Sequence, residues 1–527
     1  MRINSYWNLL TGLLLSVGVI RPDLVYAQAD SWSNPNSGSW KWETNSNWSL
    51  SAPPADYQNA FITNAPNAAA GSRSRIVEVD PVTMATLREI TVSNLTISGV
   101  GSGVTIGRNS LILDNYGTSV SGIMTVYGNL DITANGSLTV TNAGLWITGG
   151  FIDDNTVFLN GGGLIQTIYY GDCNEITCYT EEALTWIGYN GIGSFVMNDG
   201  EWDSGDVQLG TSLTTYGTLT ISGGTANLLN AYSVLVMNGT VWLTGGTLED
   251  GEPQIGMEGG TGQMIMSNGL WSTGTISVGS SGGTGTMTFG GGSALFYSLY
   301  VGNGATSIGA VWGTGGQVSG SDVRLGVDNT GQMTLSNGTV NSSTVEVGFN
   351  PGSSGKLTVA GGDFEVSDWM YLSYSGCSAT GTLNITGGSL NVTNSSHTAF
   401  LEVDSGTLTL SGGTLRVDKL ILTNSCGHFV QTGGTLIVGG VTNVPGSFQI
   451  TALGREGNNM RITWMDAGGH TDVVQVANGS AGNYTTNFTD LSPQIILPGF
   501  GNVTTNYLDN GGATNVPSRY YRVRLVP

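Results

Sequence analysis

The sequence predicts an all-β protein: a parallel β-helix, or β-solenoid, of coils about 23 residues long, followed by a small C-terminal antiparallel β-sandwich. Three observations carry this expectation. From Thr185 to Gly440 a two-part phrase recurs. One part reads apolar-x-apolar-Gly, as in Val207-Gln208-Leu209-Gly210 and Val323-Arg324-Leu325-Gly326; the other reads Gly-x-apolar-x-apolar before a glycine corner, as in Gly217 to Gly224 and Gly331 to Gly338. Second, glycine numbers 83 and only 10% of the chain is charged, yet the apolar residues between glycines alternate with a period of two, which points to strands and away from disorder. Third, beyond residue 440 the glycine rhythm stops and short alternating runs separated by Gly, Asn and Pro take over. A propeller is the weaker alternative because its blades need about 40 residues or more; stacked sandwiches come after it.

The elements follow in chain order. Residues 1–29 read as a signal peptide, with Arg2, an apolar stretch from Leu9 to Ile20, and small residues at Ala27 and Ala29 that suit a leader-peptidase site. Export is expected, with a mature chain starting near Gln28 or Asp30; the Arg21-Pro22-Asp23 interruption leaves an uncleaved anchor as the alternative. Residues 30–75, with Trp32, Trp40, Trp42 and Trp48 ahead of Pro53-Pro54, form an N-terminal cap. Residues 76–184 hold irregular coils such as Thr91–Ile97 and Ser137–Val140, and residues 185–440 hold the regular ones. Residues 441–527 form the sandwich, with strands near Met460–Trp464, Asp472–Val476, Tyr484–Phe488, Gln494–Leu497, Thr504–Leu508 and Tyr520–Val526. This module is suited to cap the solenoid end, whose open edge invites strand addition. Past the leader, no apolar run approaches the ~20 residues that a membrane-spanning helix needs.

Each regular coil reads as three strands. Side chains alternate faces along a strand, so the first and third positions of each piece point inward and the middle one outward. The third strand then sends Trp202, Trp271, Val318, Val340, Phe364, Leu390, Leu415 and Leu436 to the interior. Outward positions of the second strand repeat as Thr220, Thr288, Thr334, Thr358 and Thr409, as suits an exposed sheet face. Outward positions of the first strand hold Trp186, Gln208, Gln254, Ser277, Tyr300, Arg324, Glu346, Tyr371 and Glu402. Of these, Trp186, Tyr300, Arg324, Glu346 and Tyr371 make a candidate ligand-binding line, because sugar rings pack on aromatic faces while their hydroxyls seek polar partners. The plainer explanation is strand propensity plus an ordinary exposed ion pair.

A formal net charge of -21, from 37 acidic and 16 basic side chains, leaves no basic stripe for nucleic acid or anionic membrane surfaces. Cys173 and Cys178 close a short loop and are expected to pair in an oxidising compartment. Cys377 and Cys426 lie at equivalent corners two repeats apart, about 10 Å between backbones, and pair only if those corners bulge. The segment Asn198–Asp206 is the densest cluster of oxygen ligands, and Asp199, Asp203 and Asp206 are candidate ligands for Ca2+; the competing reading is that Asp and Asn populate corners for backbone reasons. Only three histidines occur, His397, His428 and His470, none beside a nucleophile motif, and no residue is nominated as catalytic.

The phrase Gly-Thr-Leu-Thr-Ile-Ser-Gly-Gly-Thr at 217–225, echoed at 406–414, resembles the autotransporter-associated β-strand repeats of large exported bacterial proteins. The stretch from Trp40 to Ser49, followed by Pro53 and Ala60-Phe61-Ile62, looks like the start of such arrays, and the tail Tyr520 to Pro527 is similar to the ends of exported proteins of the Verrucomicrobia. The resemblance implies a secreted or surface-exposed bacterial β-solenoid and brings no catalytic residue with it. Residues 441–527 are too few for a membrane β-barrel, so self-secretion is not expected. The functional expectation is an exported, elongated, non-enzymatic surface, matrix or adhesion element. The alternatives are a polysaccharide- or cell-surface-glycan-binding protein and, behind it, a polysaccharide lyase on a β-helix scaffold.

Overall fold

A computed structural model describes residues 29–526 apart from 64–73, 84–89, 98–107, 115–122, 171–179, 229–233, 444–448 and shorter segments. The leader, Cys173, Cys178 and His470 lie outside the described residues.

Strands dominate the described chain, and those of the solenoid stack into three parallel ladders. The first ladder begins at Asp30–Ser31, continues through Asn59–Ile62 and Val207–Leu209, and ends on the second half of Thr435–Asn443. The second runs from Gly38–Lys41 through Tyr216–Ile221 and Ser354–Val359 to Cys426–Gln431. The third runs from Ile90–Val92 to the first half of Thr435–Asn443. From the second coil onward each full coil contributes one strand to each ladder, so like positions meet. In the second ladder Phe195 pairs with Leu219, Leu219 with Val241, Met333 with Leu357 and Leu357 with Leu383, all fully buried. The core is thus a set of side-chain columns closed by neighbouring coils, as a repeat too small to bury its own apolar face requires.

The expected inward set of the third strand is buried from Trp202 to Leu415. Leu436 is only partly buried because it stands on the last rung of that ladder. Glycine is demanded at the corner joining the first and second strands. Gly326 ends its strand at φ 69°, and a Cβ on Gly331, which opens the next, would lie 2.1 Å from the Gly326 amide nitrogen and 2.3 Å from the Val301 carbonyl oxygen. Side chains at both sites would pry the coils apart.

The tryptophan-rich cap is built as the first coil, for its strands are the opening rungs of two ladders. Trp48 packs edge-on against Trp32 and Trp42, at 5.0 and 4.7 Å between centroids, and its Nε1 donates to the Trp42 carbonyl at 2.8 Å. Three buried indoles, Trp32, Trp42 and Trp48, lie at the first coil among the described residues.

At the other end two small antiparallel sheets face each other. One comprises Gln449–Glu456, Asn459–Gly468 and Phe500–Asp509; the other centres on Thr471–Ser480, flanked chiefly by Ser518–Val526. Ile462, Trp464 and Val474 are buried between them, and Trp464 Nε1 donates to Asp472 at 2.7 Å. The strand Gln449–Glu456 is absent from the sequence expectation, since it is exposed along most of its length and lacks alternation. The backbone at Phe500 pairs antiparallel with that at Phe429 on the last rung of the second ladder, so the module meets that edge at this point. Among the described residues no helix is long and apolar enough to cross a membrane.

Cys377 and Cys426 are bonded, with Cα atoms 5.7 Å apart. The rungs themselves would hold them at about 10 Å, but Cys377 rides on a one-turn 3-10 helix, Gly376–Ser378, just before its second-ladder strand. That bulging corner spans the intervening coil, whose Ser405 is the rung partner of Cys426.

Candidate functional site

The outer face of the first ladder carries the candidate line, and its register follows the repeat. Trp186 pairs with Gln208, Gln254 with Ser277, Ser277 with Tyr300, Tyr300 with Arg324, Arg324 with Glu346, Glu346 with Tyr371 and Tyr371 with Glu402. One member escapes the sequence pattern: Leu235 stands between Gln208 and Gln254. Its coil reads Val234-Leu235-Val236-Met237, without the glycine that marks the phrase elsewhere.

Tyr300, Arg324, Glu346 and Tyr371 occupy consecutive rungs. Trp186 lies five rungs from Tyr300, about 24 Å, and packs on Tyr189 instead, at 5.5 Å. The structure therefore divides the expected line into one cluster and one distant ring.

Within the cluster Arg324 is held on several sides. Its guanidinium lies over Phe349 at 4.5 Å and over Tyr300 at 5.1 Å. Its Nε stands 2.9 Å from an Asp322 oxygen and 2.7 Å from Glu346 Oε2, the latter a close charge contact without an aligned hydrogen bond. Glu346 points away from the core yet its side chain is only 3% exposed, with Arg324 lying against it. Burial pushes the Glu346 carboxyl up to about 7; Arg324 opposes that rise and Asp322 adds to it. Asp322 is also raised by burial, against the pull of Arg324 and a 2.9 Å hydrogen bond from Thr344 Oγ1. Tyr371 packs edge-on against Trp369, Tyr374 and Phe400 at 5.2, 5.3 and 5.5 Å, while Tyr374 stacks on Phe349. Burial raises the Tyr371 hydroxyl pKa, with Glu402 next in effect.

Phe349 and Tyr374 were not legible as site residues, because both lie in corners beyond the repeating phrase. They change what the cluster can do. The faces of Tyr300 and Phe349 are engaged by a cation, and Arg324 stands against two carboxylates, so the rings and charges of the group face one another, with Arg324 Nε and Glu346 Oε2 in charge contact and not in an aligned hydrogen bond. Cation–π contacts and a partly desolvated ion pair of this kind tie adjacent coils together on the outside.

The candidate Ca2+ ligands are not brought together. Asp199 sits at an irregularity opposite Asn160 and accepts from the Gly200 amide at 2.9 Å; Asp203 accepts from Asn227 at 2.7 Å on the third ladder; Asp206 lies in the corner before the next first-ladder strand. Proximity in sequence becomes spread around the coil perimeter. Among the described residues no three His, Cys, Asp or Glu side chains gather as a metal ion requires.

Comparison with protein-family models, with curated proteins and with solved structures finds no match to this chain.

Proposed function

We propose that the protein is an exported, elongated β-solenoid serving as a non-enzymatic surface, matrix or adhesion element. The observation that carries this reading is the unbroken second ladder from Gly38–Lys41 to Cys426–Gln431, a stack about 70 Å long at the parallel-strand spacing. Such a rod presents long repeating faces and separates its two ends. The Cys377–Cys426 bridge supports export, since disulfides persist in oxidising compartments. The Arg324 cluster, whose rings and charges face one another across adjacent coils, fits a structural role for the first-ladder face better than an open glycan groove.

The test is fractionation of cells producing the full chain, combined with protease treatment of intact cells and thiol labelling. The expected result is protein outside the cytoplasm with Cys377 and Cys426 protected from alkylation. Recovery in the cytoplasm with free thiols would overturn the proposal. Polysaccharide binding, the alternative, finds its better surface on another side of the solenoid.

A further inference from the structure

We infer that the outward face of the second ladder binds an extended, uncharged polysaccharide. This goes beyond the architectural role proposed above and does not depend on where the protein resides.

The first observation is a ring row. Phe158 pairs with Val196, Val196 with Thr220 and Thr220 with Trp242; Trp242 pairs with Ile265, Ile265 with Thr288 and Thr288 with Trp312. Phe158, Trp242 and Trp312 therefore stand in one line, three rungs apart each time, or about 14 Å. Their exposures are almost equal, at 37, 38 and 37%. Unlike Tyr300 and Tyr371, none of the three has a ring or cation contact among the described residues.

The second observation is what lies between the rings. Thr220 stands between Phe158 and Trp242 and Thr288 between Trp242 and Trp312, each beside one aliphatic residue, Val196 or Ile265, and Thr334 follows Trp312; the three hydroxyls make no hydrogen bond among the described residues. Thr218 and Thr286 stand two residues earlier on the same strands and face the same way. The face thus alternates flat apolar platforms with hydroxyls still able to donate and accept.

The third observation is charge. From Thr156 to Thr409 the outward strand positions of this ladder include no carboxylate, and Lys356 is their one charged side chain. The chain as a whole carries -21, with Glu346 and Glu402 on the first-ladder face and Glu249 and Glu365 on the third. A charged partner gains nothing from the second face. A lipid surface calls for a continuous apolar patch, which the interleaved threonines interrupt, and a globular protein does not match a row repeating every three coils. A neutral polymer of hydroxylated rings matches all three observations, stacking on the indoles and exchanging hydrogen bonds with the threonines.

The test uses the full chain in sedimentation assays with microcrystalline cellulose, insoluble chitin and insoluble xylan, and gel retardation with polygalacturonate as the acidic control. Retention by at least one neutral polymer, undiminished in molar salt, is expected. Trp242→Ala/Trp312→Ala should weaken it roughly tenfold or more, and Tyr300→Ala should leave it unchanged. Thr288→Glu, which sets a carboxylate between the two indoles, should abolish retention and decides the matter if the double variant loses its circular-dichroism strand signal. The inference is overturned if no neutral polymer is retained, if only polygalacturonate is bound, or if folded variants bind as tightly as the parent.

Discussion

Replacing Asp250 by asparagine should flatten the pH dependence of stability. Asp250 ends the third-ladder strand Thr247–Asp250 and is buried. Trp271 Nε1 donates to its Oδ1 at 3.1 Å, while Oδ2 has no hydrogen-bond partner. Burial pushes the carboxyl from 3.8 up to about 7, outweighing the hydrogen bonds from Thr273 and Trp271. The folded state therefore holds a proton that the unfolded chain releases at lower pH. Its stabilising contribution is complete below the unfolded value of 3.8, is lost progressively up to about pH 7, and is flat above that. A shift of that size corresponds to about 4 kcal/mol. Asparagine retains the oxygen that faces Trp271 and cannot ionise. In urea unfolding at a series of pH values, Asp250→Asn should gain on the parent by about 4 kcal/mol between pH 4 and pH 8. Asp153, also buried, is pushed up to about 7 for the same first reason, so adding Asp153→Asn should flatten the profile further by a similar amount. Parallel profiles for parent and Asp250→Asn would refute the reasoning, since the buried carboxyl would then not be the titrating group.

The Cys377–Cys426 bridge closes a segment with a sequence separation of 49, so Cys426→Ser should cost about 4 kcal/mol by loop entropy; hydrogen exchange should rise across the coils from 380 to 431 and not near Trp48. Gly331→Ala should cost about 3 kcal/mol or more, because its Cβ would strike backbone atoms of two neighbouring segments. Gly352→Ala is the control: its φ is 83° but no atom lies within 4 Å of the added carbon, so about 1 kcal/mol of backbone strain is the expected cost in thermal denaturation.

The coil interior was legible because one rule repeats. Leu219, Met333 and Phe364 could be assigned inward from alternation alone, and each is fully buried. The outward line from Ser277 to Glu402 followed from the same register, since a parallel ladder carries each position straight onto its neighbour. Where the phrase lapses, as at Val236-Met237, a member of the line went unseen. The strand Gln449–Glu456 was missed for a related reason: Leu453 is 54% exposed, and the flanking residues carry no alternating pattern.

Everything that repeats is already written in the chain: parallel stacking, glycine at the corners, the inward columns and the identity of each face. The corners and the ends took their form from long-range contacts. The Gly376–Ser378 turn brought two cysteines together across a coil, Arg324 was set over Phe349 and against Glu346, three acidic residues close in sequence were not gathered into one site, and the backbone at 500 was paired with that at 429. The reason is physical. Strand stacking is enforced by the same backbone spacing at every rung, so a local pattern suffices to specify it. A corner follows no repeating rule, and its path depends on contacts with coils that the sequence places tens of residues away.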